Sequence, residues 1–332
     1  MVPTSMDLHW TCPKPLHEPV LRSILGGLFA EAILPPGVII DAGANSGEDA
    51  CYYAERNPQR TVYAVEPTPS NVAYIKRKFA RRLNNLQAVH GGLGSVTQLV
   101  YDKRATNSTT NKGVSHQVAD VAQSVRVDEA QAGHPGVFRV HRIDDLFASQ
   151  WHGERLGFAH FDVEGGELDV LLGARHIISR DRPVFTVETF VHNHPNITLR
   201  LLHTLDDLGY DSYMVEEQCG LPVDCRNIIN IPRELHSKFQ QSPTLDLATV
   251  TGKLFFVSER TIATQAYASV CSSGNKCCVN GPVNHFGPSW WKTKCCNADC
   301  VNRWLDSRHG GRIHLSWYDK PRWFGSRPKH SL

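Results

Sequence analysis

The sequence predicts an α/β fold, a doubly wound and mostly parallel sheet, followed by a cysteine-rich C-terminal appendage. Three observations predict it. Apolar, β-branched runs alternate with helical periodicity over residues 37–258. Several of those runs empty into an acid: Asp41, Glu66, Asp162 and Glu188. Six of the ten cysteines crowd between Cys271 and Cys300, beyond the alternating region. The chain divides into a leader with a helix (1–36), an α/β domain (37–258) and a cysteine-rich tail (259–332).

The elements follow in order. Val20, Leu21, Ile24, Leu25, Leu28, Phe29 and Ile33 form an apolar stripe at helical spacing, stopped by Pro35-Pro36-Gly37. Val38-Ile39-Ile40 reads as a buried parallel strand that turns through Gly43 and Gly47 into a helix, Glu48 to Arg56. Thr61 to Val65 is a second strand ending in Glu66, and Pro67-Thr68-Pro69-Ser70 starts a helix through about Arg82. Its basic run, Lys76-Arg77-Lys78 with Arg81 and Arg82, reads as a solvated face. Leu86 to His90 and Gln98 to Tyr101 are strands; Thr106 to His116 is loop, with a formal glycosylation sequon at Asn107-Ser108-Thr109; and 118–136 is loop or irregular strand. Val137 to Val140 is a short strand and Ile143 to Ser149 a short helix. Leu156 to Phe161 is the next central strand and runs into Asp162-Val163-Glu164-Gly165-Gly166-Glu167, after which Leu168 to Ile178 is a helix. Pro183 to Val187 is a strand ending at Glu188, and Asn196 to Leu208 a helix closed by Gly209. Further strands fall near Asp211–Val215, Asn227–Ile231 and Lys253–Val257.

Composition narrows the function. At 332 residues the chain can bury a sizeable core, with 41% apolar and 20% charged residues. Lysines and arginines number 35 against 33 acids, so no net field argues for nucleic acid or a membrane surface. No apolar run is long enough for a transmembrane helix. Met1 to Leu16 lacks the basic head and apolar stretch of a signal peptide, which suggests the cytoplasm, whereas the cysteine-rich tail suggests a secretory compartment. Oligomeric state is not legible.

The acids sit where ligands of doubly wound sheets bind, outside the carboxyl ends of the strands. Gly43-Ala44-Asn45-Ser46-Gly47 lacks the middle glycine that lets a pyrophosphate lie against a helix start, which argues against a nicotinamide cofactor. Asp41 just before the turn would also repel phosphates. S-adenosylmethionine fits better. It has a ribose for Glu66, positive groups for carboxylates, no phosphate, and a carboxylate that backbone amides of the turn can meet. Asp162 lies at the mouth of the cleft, while Glu167 at a helix start has an equally good structural reading.

At this point the sequence resembles the FkbM-type family of S-adenosylmethionine-dependent methyltransferases. The pieces are Ile40-Asp41-Ala42-Gly43-Ala44-Asn45-Ser46-Gly47, Val65-Glu66-Pro67, Gly92-Leu93-Gly94 and Arg142-Ile143-Asp144-Asp145-Leu146. They continue with Phe161 to Glu167, Leu171-Leu172-Gly173-Ala174, Arg182-Pro183 with Glu188, and Arg226 to Pro232, in the family's order over residues 37–235. The resemblance implies a Rossmann-like class I methyltransferase sheet of seven strands, usually with one reversed edge strand, and O-methylation of a hydroxylated small molecule or glycan. It implies that Asp41, Gly43, Asn45, Gly47 and Glu66 hold the cofactor. It implies that Asp162, Glu164 and Glu188 line the acceptor side. Asp162, His160 and Glu188 are the catalytic candidates, and Glu164 and Glu167 the acceptor-binding ones. His160 stands where the family commonly has a lysine; it is a candidate general base, or else a sheet histidine bonded to a neighbour. The chemistry requires no metal.

The tail lies outside the resemblance. Only Cys296 and Cys300 have zinc-ligand spacing, so Cys271, Cys277, Cys278, Cys295, Cys296 and Cys300 suit three disulfides better than zinc. Trp290, Trp291, Trp304, Trp317 and Trp323 form either a small core or a platform for a sugar or partner. The alternative function is a catalytically silent methyltransferase-fold protein whose tail recognises a partner.

Overall fold

The structure, a computed structural model, describes residues 12–13, 18–102, 105, 125–190, 195–217 and 225–257. The cysteine-rich tail, the sequon and loop residues 191–194 lie outside the described residues. Among the described residues no helix is long and apolar enough to cross a membrane.

The chain enters through α1 (Pro19–Ala30), β1 (Val38–Ala42), α2 (Glu48–Arg56), β2 (Val62–Glu66) and α3 (Pro69–Ile75). After β3 (Leu86–His90) come the short strands β4 (Gly92–Leu93), β5 (Gln98–Tyr101), β6 (Val125–Arg126) and β7 (Val137–His141). Then follow α4 (Ile143–Ala148), β8 (Leu156–Phe161), α5 (Glu167–Gly173), α6 (Arg175–Asp181), β9 (Val184–Phe190) and α7 (Pro195–Asp207). β10 (Tyr210–Val215), β11 (Cys225–Pro232), α8 (His236–Phe239), α9 (Pro243–Val250) and β12 (Leu254–Val257) complete it.

The central sheet runs β12-β10-β11-β9-β8-β1-β2-β3. β3, β2, β1, β8 and β9 are mutually parallel, whereas β11 is antiparallel to both β9 and β10, and β12 is antiparallel to β10. The expectation of seven strands with one reversed is therefore corrected to eight with two reversed. The two ladders meeting at β11 require its reversal, and β12 covers the far side of β10 with a ladder of its own. β4, β7, β5 and β6 form a separate four-stranded sheet.

Alternation along the strands divides the core into two. Ile40, Ala42, Val65, Ala159, Phe161 and Val187 pack on the face covered by α4 to α7, with Trp151 stacked on Tyr63 at 4.2 Å. Ile39, Val62, Ala64, Phe158 and Val184 pack on the opposite face against Leu21, Ile24, Leu25 and Leu28 of α1, and Ala50, Cys51, Tyr53 and Ala54 of α2. β1, β2 and β8 are buried throughout, as parallel strands between two helical layers must be.

Most boundaries shift by a residue, and three differences from the sequence reading are larger. The helix expected over Leu168–Ile178 is two helices broken at Ala174, whose backbone leaves the helical region (φ −113°, ψ 5°), and beside the break Gly173 lies against the Gly94 carbonyl so closely that a Cβ would stand 2.0 Å from that oxygen. The helix expected to reach Arg82 loosens after Ile75 into a wide turn over 76–80, with its basic residues exposed. Strand β9 continues past Glu188 to Phe190, because β11 pairs with it there: Glu188 opposite Asn227 and Thr189 opposite Arg226.

α1 is held at its N-terminal end. Pro19 fits its first turn, and the Glu217 carboxylate accepts the amides of Val20 and Leu21, both at 2.8 Å, where a helix start favours an anion. Upstream, Cys12 is joined to Cys51 of α2 by a disulfide. In sequence these two cysteines look scattered.

Candidate functional site

The turn after β1 is built on left-handed backbone at Gly43 (φ 80°), Asn45 (φ 46°) and Gly47 (φ 79°). At Gly43 no side chain fits, since a Cβ would stand 1.7 Å from the Asp162 carbonyl oxygen. The amides of Gly43 and Ala44 both donate to the Val65 carbonyl, and that of Gly47 to Ala44. The amide of Asn45 donates to Glu66 at 2.9 Å. The sequence reading offered the amides of this turn to the ligand's carboxylate. Those four are engaged within the chain.

Glu66 is buried at the end of β2 and braces two loops at once. One oxygen accepts the Asn45 amide; the other accepts the Thr68 amide at 2.9 Å and the Asn71 side chain at 3.2 Å. Burial pushes its carboxyl up, and these donors pull it back. Asn71 also reaches the Asn45 side chain at 3.4 Å. Nothing in the sequence singled out Thr68 or Asn71; Asn71 reaches Glu66 only because α3 begins right after the strand.

Asp41 is buried to 1% exposure, with one carboxylate oxygen unpartnered among the described residues. Burial and the nearby acids Asp49 and Asp162 push its carboxyl well above the ordinary range, while the neighbouring Arg22 opposes them. Arg22 comes from α1, is itself buried, and pairs with Asp49 at 2.9 Å.

Across the sheet, Asp41 lies level with His160 on β8, and His160 level with Thr186 on β9. His160 is buried, its Nδ1 2.6 Å from the Thr186 hydroxyl and its ring edge-on to Tyr53. It therefore sits one row inside the end of β8. The row beyond, just past β8, is Asp162, Glu188 and Asn227. The Asp162 amide bonds to the Ala42 carbonyl at 3.0 Å, fixing it beside the glycine turn. Asp162 is partly exposed, Glu188 is buried, and their carboxyl groups share a hydrogen bond. Two carboxyls this close cannot both ionise readily. Burial first, and then repulsion by Asp162, push Glu188 far up; burial also pushes Asp162 up, with His160 opposing.

The remaining acids divide. Glu167 turns its carboxylate into its own loop, accepting the amides of Val163 at 3.0 Å and Gly165 at 3.1 Å, and burial pushes it up to about 8. Glu164, with φ 57°, stands exposed on the outside of that loop. Two residues missed in sequence join the row: Asn227 on β11, and Glu18 at the start of α1, linked by a 2.5 Å hydrogen bond from the Asn227 side-chain amide to Glu18. Their contact spans 209 positions, and no local pattern announces it. Among the described residues no group of three or more His, Cys, Asp or Glu side chains is arranged to hold a metal ion.

The family model of the methyltransferase FkbM domain matches residues 41–212. Methyltransferase 1 of Beauveria bassiana is 30% identical over 142 residues, covering 41% of this chain and 57% of that protein. Methyltransferase sdnD of Sordaria araneosa is 28% identical over 153 residues, covering 41% of this chain and 59% of that protein. The matches thus span less than two thirds of either relative. Among solved structures, an FkbM methyltransferase from Methylobacillus flagellatus matches 59% of this chain and 43% of its own at 17% identity and a TM-score of 0.40. Fibrillarin from Aeropyrum pernix, with natively bound S-adenosyl-L-methionine, matches 64% of this chain and 74% of its own at 16% identity and a TM-score of 0.39.

Proposed function

The chain belongs to the FkbM methyltransferase family, and on that premise we propose that it transfers a methyl group from S-adenosylmethionine to a hydroxyl oxygen of a small molecule or glycan. The observation that carries this reading is the contact between Gly43 and the Asp162 carbonyl, which sets the cofactor turn directly against the acidic pair Asp162–Glu188. The residues present fit the cofactor: Glu66 is held in place for a ribose, and the unpartnered oxygen of buried Asp41 suits a cationic amino group. When bound, S-adenosylmethionine supplies a methyl group already activated by its sulfonium.

The protein's own work is then alignment, exclusion of water and removal of one proton. Asp162, partly exposed at the strand end, takes the acceptor's hydroxyl proton. Glu188, buried and held up, stays protonated and donates to Asp162, which keeps the acceptor-side oxygen of Asp162 aimed outward. His160 positions the row from behind through Thr186. Because Asp162 must be ionised to accept, turnover falls as pH drops through the apparent pKa of the pair, which lies above that of an ordinary aspartate. The Cys12–Cys51 disulfide supports work in an oxidising compartment.

Calorimetry with S-adenosylmethionine and its demethylated product, S-adenosylhomocysteine, tests the cofactor half. Binding by the parent, lost in Asp41→Ala and Glu66→Ala, is expected. No binding by the well-folded parent would leave the fold as a scaffold only. Label transfer to hydroxylated acceptors tests the rest: Asp162→Asn should lose about 10²- to 10⁴-fold in kcat with cofactor binding retained.

A further inference from the structure

Resting on that reading of the site, we propose that Arg22 of α1 binds the carboxylate of the cofactor's amino-acid end, so that Arg22 and Asp41 together form the subsite for that zwitterion. Arg22 lies outside the 41–212 segment matched by the family, so this half of the subsite comes from a helix that the matched segment does not contain.

Three observations carry the assignment. First, the guanidinium is buried, 6% exposed, and only partly satisfied. Its Nη2 pairs with Asp49 at 2.9 Å, while Nε and Nη1 have no partner among the described residues. An arginine cannot shed its charge to escape the cost of such burial. The Tyr52 ring, centred 5.8 Å from the guanidinium carbon, attracts the charge without accepting those N–H groups. Buried donors left this way call for an acceptor, and a carboxylate matches the planar fork best.

Second, Arg22 stands at the right depth. Its amide bonds back to the Glu18 carbonyl at 3.1 Å, so it lies one helical turn inside the end of α1 that reaches Asn227. Asp41, level with His160, likewise lies one row inside Asp162. Both side chains converge on the first turn of α2: Arg22 on the Asp49 carboxylate, Asp41 on the Ala50 amide. Arg22 is near enough to oppose the upward push that burial gives the Asp41 carboxyl, yet neither satisfies the other's unpartnered atoms.

Third, the amides of Gly43, Ala44, Asn45 and Gly47 in the glycine turn all donate within the chain. A carboxylate arriving there needs other donors, and Arg22 supplies them. The amino-acid end brings both signs and no net charge, its ammonium to the unpartnered oxygen of Asp41 and its carboxylate to Arg22, so the subsite requires no excess of either sign.

Calorimetry on the full chain tests this with two ligands, S-adenosylhomocysteine and its decarboxylated analogue, which keeps the amine and lacks only the carboxylate. The parent should bind S-adenosylhomocysteine about 10- to 100-fold tighter, as charge-assisted hydrogen bonds predict. Arg22→Met should reduce that preference to threefold or less and leave the affinity for the analogue unchanged. Arg22→Lys, which keeps a charge for Asp49 and loses the fork, should cut the preference at least threefold. Equal binding of the two ligands by the parent, a preference that survives either substitution in full, or an equal loss for both ligands, as a merely structural arginine would give, overturns the proposal. If Arg22→Met does not fold, Arg22→Lys decides on the same grounds. Failure of both ligands to bind the parent would instead overturn the reading on which the proposal rests.

Discussion

Glu167 shows how one carboxyl can belong to a functional motif and yet serve the backbone. Its neighbours in sequence, Asp162 and Glu164, face the opening or the solvent, while its own oxygen is taken up by two amides of the loop. Burial raises it from an ordinary 4.5 to about 8. Between those values the folded chain retains a proton that the unfolded chain has released. The stabilisation is therefore complete below about pH 4.5 and is lost as pH rises through about 8. Glu167→Gln keeps an oxygen for the two amides and cannot ionise. Thermal melts of the two proteins should nearly coincide at about pH 4, diverge between about pH 4.5 and 8 and stay apart above that, with the variant more stable by on the order of 2 kcal/mol. Glu18, pushed up to about 9, and Glu216, to about 7, act in the same direction, so part of the parent's slope persists in the variant. Parallel melting curves would show that Glu167 is ionised in the fold.

At the scale of elements, α1 is the piece whose importance the sequence conceals. Its apolar stripe is legible, and so are its stop at Pro35-Pro36 and its place as a packing helix. What it brings to the site is not, because Glu18 and Arg22 find their partners on α2 and β11. The same division holds elsewhere. Helix α2 and strands β3, β5 and β8 coincide residue for residue with the sequence reading, since period and punctuation are local signals. The break between α5 and α6, the separate sheet of β4 to β7 and the second reversed strand were hidden. Each goes with a contact between distant segments, such as Gly173 on the Gly94 carbonyl. The Cys12–Cys51 bond is of this kind, closing a loop of 39 positions. A loop of that length stabilises by roughly 4 kcal/mol on chain entropy. Cys12→Ser should therefore lower Tm by roughly 5–10 °C. Reductant should bring the parent down to the same value and leave the variant unmoved. A parent indifferent to reductant would mean that the packing of Leu21, Leu25 and Leu28, with the Glu217 and Asp49 contacts, holds α1 in place without the disulfide.

At the scale of the molecule, the acidic row and the two cores draw on segments from α1 to β12. The site depends on the whole width of the sheet: Asp41 from β1 lies level with His160 of β8, and the row beyond takes Asp162 just past β8, Glu188 from β9 and Asn227 from β11, while β10 and β12 hold β11 in register from the far side. We expect a chain ending at residue 258 to melt in one cooperative transition and to bind S-adenosylhomocysteine as the full chain does. A chain ending before Leu254 loses β12, whose Leu254 and Val257 are buried, and leaves the edge of β10 unpaired. That shorter chain should melt lower by several degrees, since two buried aliphatic side chains contribute about 3–6 kcal/mol together. Loss of ligand binding in the chain ending at 258 would instead make the cysteine-rich segment part of the site.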